Sequence, residues 1–189
     1  MNKILAIAGS TRTGSLNRQL LAVAADAVRA AGAEVTVLDL RDYPMPIYDG
    51  DLEAREGIPV NARKLKEIFK AHQALLLVSP EYNASVSPLL KNALDWVSRP
   101  DGGQAGNVPY QGKVAALFAA SAGALGGLRG LTHLRAVLQN LGVLVLTEQY
   151  ALSRANEAFT PGGRLSDPRA QASVDGIAQR LVEVVRKLS

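Results

Sequence analysis

Cysteine is absent from the 189 residues. Its absence excludes a disulfide framework, a cysteine-ligated iron–sulfur cluster and any phosphatase that works through a thiolate nucleophile. Histidine occurs only at His72 and His133, too few for a histidine-rich metal site, so no metal is expected. Aromatic residues make up 5% of the chain and are not interleaved with arginine, which argues against a stacking platform for single-stranded nucleic acid. Apolar residues reach 48% overall, yet no run approaches the ~18–20 residues that cross a bilayer. Residues 1–10 lack a charged segment followed by a long apolar one, so they read as a first strand and not as a secretory signal. Together these absences fit a cytoplasmic protein with no membrane partner. The net charge of +4 is mild and spread over the expected helices, which suits solvated helix faces better than a nucleic-acid patch.

What is present is an alternation of short apolar runs and amphipathic segments. Residues 3–8 are strand-like and end at Gly9. Residues 16–31 carry Leu20, Leu21, Ala24, Ala27 and Val28 on one helical face, with Gly32 as a stop. Residues 34–40 read as a second strand, and 42–59 as a loop rich in Pro, Gly and Asp. A helix capped by Asn61 follows, then a buried strand at 74–79. Residues 87–97 are helical, with Pro88 suited to the first turn. After a Gly-rich excursion at 100–112 come a strand at 113–120, a helix at 127–141, a strand at 143–147 and a last helix at 167–188. This order predicts one α/β domain spanning residues 1–189. The expected form is a five-stranded parallel sheet with helices on both faces.

In such sheets ligands sit beyond the carboxyl ends of the strands, near the reversal in strand order. Three loops leave those ends with unusual chemistry: residues 9–17, 80–87 and 121–127. The first reads Gly-Ser-Thr-Arg-Thr-Gly-Ser-Leu-Asn and joins a strand to a helix. Its hydroxyls, the Arg12 guanidinium and the helix N-terminus suit a phosphate. Ser15 stands where a Walker A loop needs lysine, which argues against a nucleoside-triphosphate hydrolase. Thr11 stands where the dinucleotide fingerprint needs its second glycine, which disfavours a bound pyrophosphate. A terminal monophosphate such as that of FMN fits the remaining space.

Gly9-Ser10-Thr11-Arg12 with Ser15 and Asn17, and Pro80-Glu81-Tyr82-Asn83 with the Lys91–Trp96 stretch, resemble the phosphate loop and flavin-ring loop of the NADPH-dependent FMN reductase family. The likeness is to its quinone- and chromate-reducing branch. A weaker match covers Ser121, Gly123, Gly126, Gly127 and Arg129. The resemblance implies a flavodoxin-like three-layer sandwich with strand order 2-1-3-4-5, bound FMN, NAD(P)H as co-substrate and a small flavin, quinone or chromate acceptor. It implies that Ser10, Arg12, Ser15, Leu16 and Asn17 hold the phosphate end. Pro80, Glu81, Tyr82 and Asn83 would lie against the isoalloxazine, with Ser121 and Gly123 at its other edge. No catalytic side chain is implied, because the flavin carries the chemistry. A homodimer or homotetramer is also implied, and the apolar residues Leu89, Leu90, Ala93, Leu94, Trp96 and Val97 suggest a surface for it.

Departures from the family pattern are Ala84 for a common glycine, Ser87-Pro88 for Pro-Gly and Ala122 for a frequent proline. Glu81 can equally be a solvated charge, and Tyr82 a packing residue. Asn92 and Asp95 read as cap or surface residues, Trp96 as core or interface, and both histidines as surface. Arg129 meets the nicotinamide nucleotide's phosphates or lies free on its helix. An electron-carrier flavodoxin is the alternative; Arg12 and the basic balance speak against it. A phosphoacceptor domain would need an acidic pair where Gly9-Ser10 stands.

Overall fold

A computed structural model describes residues 2–188. Five parallel strands form its centre: β1 (Lys3–Ala8), β2 (Glu34–Leu38), β3 (Ala74–Val78), β6 (Val114–Ala120) and β7 (Leu144–Leu152). Their order is β2-β1-β3-β6-β7, the expected 2-1-3-4-5 once the small hairpin of β4 (Glu81–Tyr82) and β5 (Ser85–Val86) is set aside. Side chains of a strand alternate between the two faces of a sheet, and β1 shows the consequence. Ile4, Ala6 and Ala8 pack under helices α1 (Leu16–Ala30) and α6 (Pro168–Leu188). Leu5 and Ile7 face α3 (Val60–Lys70), α4 (Pro88–Val97) and α5 (Leu128–Asn140). Every residue of β3 and β6 is buried, which is why those strands read as unbroken apolar runs. Among the described residues, no helix is long and apolar enough to cross a membrane.

Several local expectations change. Residues 42–59 are not a plain loop: they contain helix α2 (Gly50–Glu56), capped by Asp49, whose carboxylate accepts from the N–H groups of Asp51 and Leu52. Asn61 does not cap α3. That helix starts at Val60 behind Pro59, and the Asn61 amide donates instead to the Pro44 carbonyl at 2.9 Å. Strand β2 stops at Leu38, and Leu40 enters a 3-10 turn.

The last strand does not end at Thr147. Its register against β6 shifts between Ala115 and Leu117, and pairing then continues to Leu152. Arg135 of α5 donates to the Leu146 carbonyl at 2.7 Å and to Gln149 Oε1 at 2.9 Å, satisfying backbone that the irregularity frees. A polar Thr-Glu-Gln run looks like a turn in sequence; a side chain from another element keeps it in the sheet.

The apolar residues of α4 are consumed within the chain. Leu90, Ala93, Leu94 and Val97 are core, and fully buried Trp96 packs with Ile58 and Ala62. Of the apolar residues named for a subunit surface, only Leu89 remains partly exposed.

Candidate functional site

Each of the three chemistry-bearing loops leaves the carboxyl end of a buried strand, and hydrogen bonds tie them together. Loop one follows β1. Gly9 N–H donates to the Val78 carbonyl at 2.8 Å, and the Ser87 hydroxyl donates to the Gly9 carbonyl at 2.7 Å. A Cβ on Gly9 would sit 2.9 Å from Ser87 Oγ and 3.2 Å from Pro80 Cδ, so only glycine lets loops one and two approach this closely. Ser15 caps α1, accepting from the Arg18 N–H at 3.4 Å. The first turn of α1 contains no acidic residue. Helix geometry leaves the N–H groups of such a turn without intrahelical acceptors. The exposed Arg12 side chain has no hydrogen-bond or ion-pair partner among the described residues.

Loop two is the hairpin. Asn83 and Ala84, its central residues, both have left-handed backbone, with φ of 48° and 62°. That geometry suits Asn followed by Gly; for alanine it costs roughly 1–2 kcal/mol. Here lies the physical content of alanine at the family's usual glycine position. Tyr82 stands out into solvent, 54% exposed. Glu81 turns the other way. Its carboxylate accepts from the Gly130 N–H at 3.0 Å and from Arg129 Nε at 2.9 Å, and so caps α5. Burial raises the Glu81 pKa, but the Gly130 and Arg129 donors outweigh it and hold the carboxyl below its ordinary value.

Loop three follows β6. The Ser121 hydroxyl accepts from the Gly123 N–H at 3.1 Å. Ser121 N–H donates to the Leu152 carbonyl, and Ala155 N–H to the Ser121 carbonyl, so the extended end of β7 braces this loop. A Cβ on Gly126 would lie 2.7 Å from the Ala151 backbone, and one on Gly127 2.8 Å from Ala119 Cβ. Buried Asn17 joins loop one to the start of loop three: its amide donates to the Ala120 carbonyl and accepts from the Ala120 N–H, both at 2.9 Å.

This constellation lies on a sheet of the expected order, and residues 2–157 match the family described as NADPH-dependent FMN reductase. The chain belongs to that family. It is 38% identical over 187 residues to an NAD(P)H-dependent FMN reductase of Pseudomonas aeruginosa, covering 98% of this chain and 96% of that one. A quinone reductase of Escherichia coli K12 is 35% identical over 148 residues, 77% of this chain and 74% of its own. Among solved structures, FerB of Paracoccus denitrificans, a flavoenzyme NAD(P)H:(acceptor) oxidoreductase, superposes with a TM-score of 0.84 at 27% identity. The match covers 99% of this chain and 98% of that one.

In this FMN reductase-family chain the positions singled out from sequence fall into two sets. Ser10, Arg12, Leu16, Tyr82, Asn83, Ser121 and Gly123 are at least partly open to solvent around the shared edge. Ser15, Asn17, Pro80 and Glu81 serve the frame: a cap, a loop-to-loop bridge, a packed ring and a second cap. Asn92 is neither cap nor free surface. It accepts from the Tyr48 N–H at 2.8 Å and donates to the Pro46 carbonyl at 2.9 Å, while Trp96 Nε1 donates to that same carbonyl at 2.8 Å. The i, i+4 spacing of these two side chains, which puts them on one face of α4, was the available signal.

Beyond them Glu53 accepts from Arg99 Nε at 2.9 Å and from the Tyr48 hydroxyl at 3.0 Å, which sets residues 43–59 as a fixed wall. The Arg99 hydrogen bond holds the Glu53 carboxyl below its ordinary pKa against the opposing effect of burial. His72 is buried, with Nδ1 on the Ile68 carbonyl and Nε2 on Thr36 Oγ1, far from loops 9–17 and 121–127 in sheet position. The expectation of a surface histidine is corrected: two partners in the fold make burial affordable. His133 is exposed, as expected, and meets Ser85 Oγ at 3.0 Å.

Proposed function

We propose that this chain is an FMN-dependent oxidoreductase that takes two electrons from NAD(P)H and passes them to a quinone, a flavin or another small acceptor such as chromate. The observation that carries the reading is the anion-ready first loop, with an unpaired Arg12 beside a helix start free of acidic residues. These donors fit a monophosphate, and the family supplies its identity as FMN. Bound FMN would supply the redox chemistry, accepting hydride from nicotinamide and reducing the acceptor.

The residues have supporting tasks. Arg12, Ser10 and the first-turn N–H groups would hold the phosphate, with Ser15 and Asn17 fixing that turn. Backbone N–H groups of Asn83 and its neighbours would meet the polar edge of the ring, Ser121 and Gly123 would border it, and Tyr82 would wall the open face. With one face against protein, donor and acceptor share the other in succession, which requires ping-pong kinetics. A homodimer or homotetramer is expected from the family resemblance, and light scattering of the active enzyme at assay concentration tests it.

The deciding experiment titrates apoprotein with FMN, FAD and riboflavin, then follows NAD(P)H oxidation with a quinone. One FMN per chain and parallel double-reciprocal plots are expected. Equal or tighter FAD binding overturns the cofactor reading. Flavin binding without NAD(P)H oxidation makes the protein an electron carrier, and intersecting plots demand a second acceptor pocket.

A further inference from the structure

The hairpin cannot hold its own shape. It has two residues per strand, and an isolated two-stranded hairpin is marginal even when longer. Its turn is strained at Ala84. Whatever fixes it must come from outside, and the contacts identify α5. On one strand Glu81 reaches Gly130 N–H and Arg129; on the other, Ser85 Oγ meets His133 Nδ1. The two elements touch without clearance, since a Cβ on Gly130 would stand 3.1 Å from the Ser85 carbonyl oxygen and 3.3 Å from Glu81 Cβ.

Helix α5 has a matching deficit. Its cap position is Gly127, in left-handed backbone, which supplies no side-chain cap. The first N–H groups of a helix need acceptors from elsewhere, and Glu81, forty-nine residues away in sequence, provides one. Its side chain is only 9% exposed, so the carboxylate is held in place and not shared with solvent. Glycines 126 and 127 immediately precede α5 and close loop three. One carboxylate therefore fastens loop two to the end of loop three.

We propose that Glu81 is a positioning residue for the flavin ring: by joining the hairpin to the start of α5, it pre-sets the two loops that border the isoalloxazine before the cofactor arrives. This differs from a contact between Glu81 and the flavin, and it rests on the reading that the ring lies between loops 80–87 and 121–127. The physical gain is preorganisation, because a loop already ordered adds no ordering cost to binding.

The test uses the full-length protein with Glu81→Ala and Glu81→Gln. Removing the carboxylate leaves the Gly130 N–H without its acceptor, whereas the glutamine amide oxygen still accepts from it. Glu81→Ala is expected to weaken FMN and riboflavin by the same factor, about tenfold or more, as for loss of a partner to a buried donor. Equal factors are the signature of the ring end, since riboflavin lacks the phosphate. Glu81→Gln should restore most of the affinity.

In the apoprotein, amide exchange should quicken at residues 82–86 and at Gly130 in the alanine variant, with β3 and β6 unchanged. In the loaded protein the flavin absorption bands and midpoint potential should move with alanine and return with glutamine. Lower thermal stability with unaltered ring affinity, bands and potential would make Glu81 a helix cap alone and overturn the proposal. Wild-type protein that binds FMN without protecting amides in loops 80–87 and 121–127 would sink the site reading instead. Should the alanine variant fail to fold, Glu81→Met takes its place, since it keeps the side chain's bulk but offers the Gly130 N–H no acceptor. Loss of ring affinity with faster exchange at residues 82–86 then supports the role, and unchanged affinity and exchange overturn it.

Discussion

The two edges of the central sheet treat positive charge in opposite ways. At the carboxyl edge, Arg12 is exposed and has no partner among the described residues, next to a helix start that lacks any acidic side chain. At the amino edge, Lys113 is buried just before β6, its ammonium donating to the His72 carbonyl, while both nitrogens of His72 are engaged. Burial pushes the Lys113 pKa down to about 8. At the carboxyl edge Arg12 is left open beside a helix start with no acidic residue. At the other, the Lys113 ammonium and both His72 nitrogens are satisfied inside the fold. The difference is the main physical reason for proposing the site at the carboxyl edge.

The bridge that makes the carboxyl edge one unit is the sharpest place to break this contrast. Asn17→Ala removes both bonds to Ala120, leaving a buried N–H and a buried carbonyl without partners. A loss of about 2–6 kcal/mol in urea unfolding is expected, from roughly 1–3 kcal/mol for each of the two unsatisfied buried groups. A change of only a few tenths would mean that loops one and three are anchored independently. Next comes the open cation. Arg12→Ala should weaken FMN by about 1.5–3 kcal/mol, the range for a charge-assisted hydrogen bond, with little change in folding stability. Riboflavin should be indifferent; if titration shows both ligands weakened alike, Arg12 is part of the frame and the two edges are not opposites.

The buried cation gives the smallest effect. Lys113 has its pKa lowered in the folded chain, so between about pH 8 and the ordinary 10.5 the unfolded chain holds a proton that the folded chain has released. Stability contributed by this group therefore rises with pH across that window, and the cost of burying its charge is fully present below it. Lys113→Met should flatten that rise when wild type and variant are unfolded in denaturant at pH 7.5 and pH 10. Identical slopes would show that the Lys113 ammonium keeps its water in the folded protein.

Much of this was legible in the sequence because local rules govern it. Buried parallel strands need unbroken apolar runs, so β1, β3 and β6 announce themselves. Hydroxyls, Arg12 and a helix N-terminus within residues 9–17 are the local pattern that suggests an anion site. Those facts determined the sheet and its helices on both faces, and they are the basis for the proposed phosphate end of the site. Other features depend on residues far apart in the chain, and no local pattern encodes them. The continuation of β7 past its irregularity needs Arg135 from α5, and the wall formed by residues 43–59 needs Asn92 and Trp96. The role of Glu81 needs a helix start forty-nine positions away that lacks its own cap. A carboxylate in a polar loop has the same sequence whether it faces solvent, a ligand or a helix. Only the tertiary structure decided which, because only there does the cost of an unsatisfied buried N–H select its partner.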